Sequence, residues 1–296
     1  MPPSERFSGM GLDAVLASLL YGLTIASALV LIASGLSLIF GVVGVVNFAH
    51  GSFCMLGAYV GFSLAVATGS FWGALALAPL LVAAGAVGIE RFTLRPLYGG
   101  NPLHQLFLTF ALSLVFSNLV LWVWGGDALS IPTPPGLKGF VAILGVAYPK
   151  FRLFVLGFSA LLAAALWVVI TRTVWGAVLR AGLHNMELLE AFGIDTRRLV
   201  TGVFALGAGL AAAAGVVMGA MRSVYPEMDL ELMTSALVVV VVGGLGSVRG
   251  AVLGSLILGL AESFGAQLAP GAAKYTTWVV MAVILLWRPE GLVREA

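Results

Sequence analysis

Residues 14–89 read AVLASLLYGLTIASALVLIASGLSLIFGVVGVVNFAHGSFCMLGAYVGFSLAVATGSFWGALALAPLLVAAGAVGI, from Ala14 to Ile89. No Lys, Arg, Asp or Glu interrupts this run. An α-helix crosses the hydrocarbon core of a bilayer with roughly 20 apolar residues, so the stretch holds about three crossings. A soluble domain has no use for such a segment. Lipid is the solvent this sequence is written for.

The rest of the chain agrees. Of 296 residues, 60% are hydrophobic and 9% are charged, against about 25% charged in a soluble domain, and the mean hydropathy is +1.08. A net charge of +2 gives no sign of a nucleic-acid partner. The single cysteine, Cys54, rules out an internal disulfide and a thiolate metal cluster, and reads as a small buried hydrophobe. The apolar run after Asp13 is too long for a signal peptide and lacks a small-residue cleavage site, so the first span is expected to be retained.

Backbone amides in lipid must be satisfied within their own element, which leaves helices or closed barrels. The apolar runs are continuous rather than alternating, so the expected class is all-α: a polytopic transmembrane bundle forming one domain over residues 1–296. The expected spans are 14–40, 45–67, 71–89, 104–124, 153–171, 200–221, 233–247, 251–268 and 275–287. Gly41, Gly44, Asn47, His50 and Gly51 interrupt the first pair, and Gly243, Gly244, Gly246 and Gly250 a later one. Glycine frees the backbone at these points, so each pair is either two crossings or one broken or re-entrant helix. Eight or nine spans result. The two interrupted segments resemble each other loosely, as the halves of an internal transporter repeat would.

Cations in short loops set the orientation. With the C-terminus inside, Arg91, Arg95, Arg172, Arg180, Arg197, Arg198, Arg249, Arg288 and Arg294 are cytoplasmic. Arg6, Lys138, Lys150, Arg152, Arg222 and Lys274 are then outside. The bias favours this sidedness.

Residues 172–200 form the most informative polar segment. From Arg180 to Phe192 a short amphipathic helix is expected, with Leu183, Met186 or Glu187, and Leu189 or Glu190 at spacings of three and four and Gly193 ending it. Such a helix at the membrane surface either docks into a groove on a partner or lies on the lipid.

Several polar residues fall within apolar spans. Thr109, Ser113 and Ser117 stand at i, i+4 and i+8 with Asn118 beside them; they either bond back to their own helix or line a transport path. Asn47 and His50 lie in the first break and are path candidates too. Glu262 sits deep in its span, where a carboxylate usually faces a partner or a water-filled cavity. It is expected to pair with Arg249 or with a cation on another subunit, or else to make a buried structural hydrogen bond. Gly207, Ala211, Gly215 and Gly219 recur every four residues, a spacing that lets helices approach closely in lipid.

Chemistry-bearing motifs are scarce. There is no phosphate-binding Gly-x-x-x-x-Gly-Lys-Ser/Thr loop, no His-Glu-x-x-His and no carboxylate pair within a span. His50, His104 and His184 have no ligand partner at helical spacing, so neither metal nor cofactor is expected. A carrier that works without ATP is one alternative to a subunit of a larger machine. An intramembrane enzyme built on His50 and Ser52 is another, although residues two apart on a helix do not face each other.

Four further stretches carry a resemblance. They are Asn47-Phe48-Ala49-His50-Gly51 with Met55-Leu56-Gly57-Ala58-Tyr59, and Gly193-Ile194 with Arg198 and Phe204-Ala205-Leu206-Gly207-Ala208-Gly209-Leu210-Ala211. Then come Gly243-Gly244-Leu245-Gly246-Ser247 with Gly250-Ala251-Val252-Leu253-Gly254 and Gly259-Leu260-Ala261-Glu262, and finally Arg288-Pro289 with Gly291-Leu292. In order and spacing they resemble the smaller, LivH-type permease subunits of branched-chain amino-acid ABC transporters. The resemblance implies a multi-subunit importer in a bacterial inner membrane. Its other parts would be a second related permease, two cytoplasmic ATPase subunits and a periplasmic substrate-binding protein. It also implies that Arg180–Ile194 couples to the ATPase, through Arg180, Glu187, Glu190, Gly193 and Ile194. The chain departs from the family at Asn185, Leu189 and Glu190, where an acidic residue and then small residues are usual. Family members take leucine, isoleucine and valine, and related systems other amino acids, amides or urea.

Overall fold

The computed structural model describes residues 11–293. Arg6 and Arg294, used in the charge count, lie outside the described residues, as does the side chain of Lys274. Eleven α-helices carry the described residues: α1 Leu12–Val43, α2 His50–Thr68, α3 Phe71–Ile89, α4 Pro102–Trp124, α5 Lys150–Arg172, α6 Val174–His184, α7 Met186–Ala191, α8 Thr196–Met221, α9 Met228–Gly243, α10 Val248–Leu268 and α11 Ala273–Trp287. One small antiparallel hairpin, β1 Phe140–Ile143 and β2 Val146–Pro149, sits in the loop before α5. The protein is an all-α polytopic bundle.

Seven of these helices are long and apolar enough to cross a membrane: α1, α2, α3 with its extension to Leu97, α4, α5, α8 and α10. Two more expected segments are also helices, but short ones. At 1.5 Å per residue, the 16 residues of α9 rise about 24 Å and the 15 of α11 about 22 Å. Both glycine-rich breaks separate distinct helices.

Local chemistry sets the boundaries. Gly44 closes α1 in the left-handed conformation (φ 74°), its N–H bonding to the Phe40 carbonyl. Ser70 caps α3 by accepting from the Gly73 amide at 3.2 Å. Asn101 caps α4 through the Leu103 amide, with Pro102 at the first helical position, where its missing N–H costs nothing.

At the heart of the bundle α8 packs against α1, α2 and α3, while α1 and α10 share the most extensive contact. With lipid outside, no hydrophobic force draws helices together, so close packing must do it. The four-residue repeat of small side chains on α8 is that seam. A Cβ on Gly215 would lie 1.9 Å from the Cys54 carbonyl oxygen of α2, and one on Gly207 would lie 2.9 Å from the Gly35 oxygen of α1. No larger residue fits either place. By contrast α4 and α5 are only 17% buried over their apolar windows.

The loops collect at two ends. The 125–149 loop pairs Leu129 with Val224 and donates from the Ile131 amide to the Gly219 carbonyl, covering one end of α8. At the other end lie α6 and α7, the start of α8, and the turn at 244–247, where a Cβ on Gly244 would meet the Val293 carbonyl. The described cations split between these ends as the sequence groups them.

Candidate functional site

Two places stand out: an elbow at one end of the bundle, and a buried polar cluster beside the first helix break.

The elbow is α6 and α7, held between α5 and α8. Thr173 caps α6 through the Gly176 amide at 3.0 Å. A Cβ on Gly176 would sit 2.2 Å from the Ile170 carbonyl, so glycine is what lets α6 fold back under α5. The single helix expected from Arg180 to Phe192 is two helices. Asn185 ends α6 in an extended conformation (φ −161°), and its side chain starts α7 by accepting from the Leu188 amide at 2.9 Å. An N-cap preference overrides the helical period there. Gly193 (φ 77°) closes α7, with Ile194 N–H reaching the Leu189 carbonyl at 3.1 Å.

This break reverses the expected faces. Leu183, Met186 and Leu189, the expected docking surface, turn inward. Leu189 is buried, a Cβ on Gly182 would meet Leu189, Met186 and Leu199, and one on Gly41 of α1 would meet Leu183. Facing out are Val174, Leu188 and Phe192, at 83%, 54% and 76% exposure. Glu187 is exposed in the first turn of α7, and Glu190 accepts from the Thr196 hydroxyl. Arg180 donates to the Ile170 carbonyl, and Ile194 packs on the core.

The buried cluster gathers four elements. Asp229, in the first turn of α9 and only 6% exposed, accepts from Ser52 of α2 at 3.0 Å and Ser117 of α4 at 2.7 Å. The N-terminal end of a helix favours a carboxylate. His50 is fully buried and its Nε2 meets the Ile32 carbonyl at 2.9 Å, so His50 and Ser52 take different partners. Asn47 Oδ1 accepts from the Ala49 amide at 3.1 Å, and the Phe48 amide donates to Thr109 Oγ1 at 3.2 Å. Buried Asn47 Nδ2 and His50 Nδ1 have no hydrogen-bond partner among the described residues.

The polar stripe of α4 therefore divides. Thr109 and Ser117 reach other segments. Ser113 and Asn118 bond back to the carbonyls of Phe110 and Leu114, at 2.7 and 2.8 Å.

Asp229 was not singled out from the sequence, because it precedes the apolar run that marks the span. A signal was nonetheless present. Asp229, Leu232, Met233, Ala236 and Val240 recur at three and four and are all buried on one face. A second buried carboxylate, Glu90, was also missed. It follows α3 in a π-turn, Glu90–Leu94, and accepts from Arg95 Nε at 3.2 Å and Nη2 at 3.0 Å and from the Thr201 hydroxyl at 2.8 Å. In a regular helix residues five apart are about 140° out of phase; the wider turn brings this pair together.

Glu262 does not pair with Arg249. Thirteen residues along one α-helix separate them by about 20 Å. The carboxylate is exposed instead, on a groove of about 510 Å³ between α9, α10 and α11 that also carries Glu227, Glu231, Thr234 and Thr277. No group of three His, Cys, Asp or Glu among the described residues is placed to hold a metal ion.

A bundle of this kind, with seven helices long and apolar enough to cross a membrane and small residues sealing its centre, is a multi-pass membrane protein. The family model described as "Branched-chain amino acid transport system / permease component" matches residues 18–287. The permease protein BraD of the high-affinity branched-chain amino acid transport system of Pseudomonas aeruginosa is 32% identical, the match covering 94% of this chain and 95% of that one. LivH of Escherichia coli is 29% identical over 92% of each. A metal-chelate type ABC transporter in an inward-facing conformation shares the fold at 16% identity, with a TM-score of 0.50 over 96% of this chain and 90% of that one. The chain belongs to the family of branched-chain amino acid transport permease components, and within it is similar to the LivH type.

Proposed function

We propose that this chain forms half of the transmembrane path of an ATP-driven importer for branched-chain or related amino acids in a bacterial inner membrane. A second, related permease supplies the other half. Two ATPase subunits dock on the elbow from the cytoplasm, and a periplasmic binding protein delivers the amino acid at the opposite end. The chain's own role is mechanical. Hydrolysis on the ATPases moves the elbow, and α5 and α8, joined to it on either side, carry the movement into the bundle.

One observation carries this reading: Leu188 and Phe192 are exposed on the elbow that joins the spanning helices α5 and α8. Large apolar side chains gathered at a tip mark a protein contact. Capping by Thr173, Asn185 and Asp195 makes the elbow stiff enough to transmit force. Glu187, Glu190, Gly193, Ile194 and Arg180 hold or frame the contact, with Glu187 the one carboxylate of these free to meet a partner's cation.

For the path itself we assign the polar-bearing face of α9 and its neighbours. Glu231, Thr234 and Glu262 stand on it, beside the exposed apolar side chains Leu230 and Trp278. Ser113, Ser117 and Asn118 form a second polar strip on α4, at the other side of α9 where Ser117 meets Asp229, with Asn47 and His50 buried nearby. These groups offer weak hydrogen bonds to a passing amino acid.

The test is the double variant Leu188→Asp/Phe192→Asp, made in the chain co-expressed with its ATPase and second permease. ATPase co-purification is expected to fall by more than about tenfold, since each buried apolar anchor is worth roughly 1.5–3 kcal/mol, while the permease pair stays intact in the membrane. Undiminished ATPase in the purified complex would place the docking surface elsewhere.

A further inference from the structure

We propose that the groove enclosed by α1, α5, α6 and α10 is a binding site for an anionic phospholipid, headgroup at the elbow end and acyl chain in the bundle. The groove measures about 730 Å³. Its charged lining is of one sign: Arg180 and Arg249, with the histidine His184 beside them and no Asp or Glu among the lining residues described. All three are exposed at the mouth. Below them the walls turn apolar, with Leu38, Leu166 and Val252 inside.

The depth fits a lipid. Along α5 the lining runs from Ala163 to Thr171, close to the helix end at Arg172. At 1.5 Å per residue the groove reaches about 12 Å inward from the headgroup level. Its side is open to the hydrocarbon between Trp167 and Leu253, which are 47% and 46% exposed. An amphiphile can enter there sideways and fill both the mouth and the apolar walls, whereas a free anion would occupy the mouth alone.

A second observation is independent of the charges. Ser34 lines the groove from α1 at 2% exposure, and its hydroxyl has no hydrogen-bond partner. A serine in a helix ordinarily bonds back one turn; here the hydroxyl stays unpartnered on the groove wall, about two turns inward of Gly41. Arg180 spends one guanidinium donor on the Ile170 carbonyl, which fixes its direction and leaves other N–H groups for a phosphate. Basic pockets between helices at the cytoplasmic face hold anionic headgroups by this chemistry.

The test uses the full chain and the assembled complex, each purified in mild detergent and weighed intact by native mass spectrometry. Dioleoyl-phosphatidylglycerol and dioleoyl-phosphatidylcholine are the probes. One phosphatidylglycerol is expected to remain on each copy of the chain in both preparations, with phosphatidylcholine lost. Arg180→Gln/Arg249→Gln should weaken phosphatidylglycerol retention about twenty-five-fold, from roughly fivefold per cation. Leu253→Trp, which fills the groove and keeps both cations, should remove the lipid too, so a misfolded charge variant leaves the question decidable. Equal retention of both lipids, or retention by Leu253→Trp, would overturn the site. So would displacement of the lipid by leucine, or an empty groove in the assembled complex, which would mean another subunit or the cargo fills it.

Discussion

Two glycine-rich breaks that look alike in sequence serve opposite purposes. At 41–51 the break makes room for polar groups. Gly44 ends α1 in a conformation that an L side chain adopts only at a cost, yet a Cβ there would meet nothing within 4 Å. The five residues that follow let α2 begin at His50 inside the bundle, beside Asn47, Ser52 and Asp229. At 243–250 the break removes room. A Cβ on Gly243 or on Gly250 would lie 2.2 Å from the other's carbonyl oxygen, so α9 and α10 touch backbone to backbone. Glycine is used for its torsional freedom in one place and for its size in the other.

That difference is open to test by substitution, and the largest effect belongs to the second break. Gly243→Val drives a branched side chain into the Gly250 backbone. The chain is expected to lose its monodisperse peak in fluorescence-detected size-exclusion chromatography. A normal peak would show that the crossing can open without harm.

Next is the polar cluster served by the first break. Asp229→Ala removes an acceptor for two buried or half-buried hydroxyls and strands Ser52. A loss of about 2–3 kcal/mol of stability is expected, read as a lowered thermal midpoint in detergent. Ser52→Ala combined with Asp229→Ala should cost little more than Asp229→Ala alone. Additive losses would mean that the two do not act as a pair.

The smallest effect is expected at Gly44→Ala. Only the left-handed backbone opposes it, at about 1–2 kcal/mol, and the protein should keep its peak with a modestly lower midpoint. Collapse on the scale of Gly243→Val would erase the distinction between the two breaks.

Much of the fold was legible because lipid leaves few choices. The charge-free run from Ala14 to Ile89 is readable by length alone, and every expected span coincides with a helix. The four-residue row Gly207, Ala211, Gly215, Gly219 likewise announced a close seam. What escaped depends on contacts that periodicity does not encode. Asn185 divides the elbow because its side chain caps a helix, and this turned Leu183, Met186 and Leu189 inward and left Leu188 and Phe192 outside. Asp229 lies before the expected span at 233–247, whereas α9 begins at Met228 and takes it in. Glu262 looked as though it could reach Arg249, but the two share one helix and stand at different depths. The pairing of Glu90 with Arg95 needs a π-turn, which no apolar pattern signals.

The central claim is that this chain moves nothing unaided and that its elbow receives the force. Leucine uptake should therefore be measured in vesicles holding the chain alone, and in vesicles holding it with the second permease, ATPases and binding protein, with and without ATP. Uptake is predicted only in the complete, ATP-supplied set. Saturable uptake by the chain alone would contradict the account.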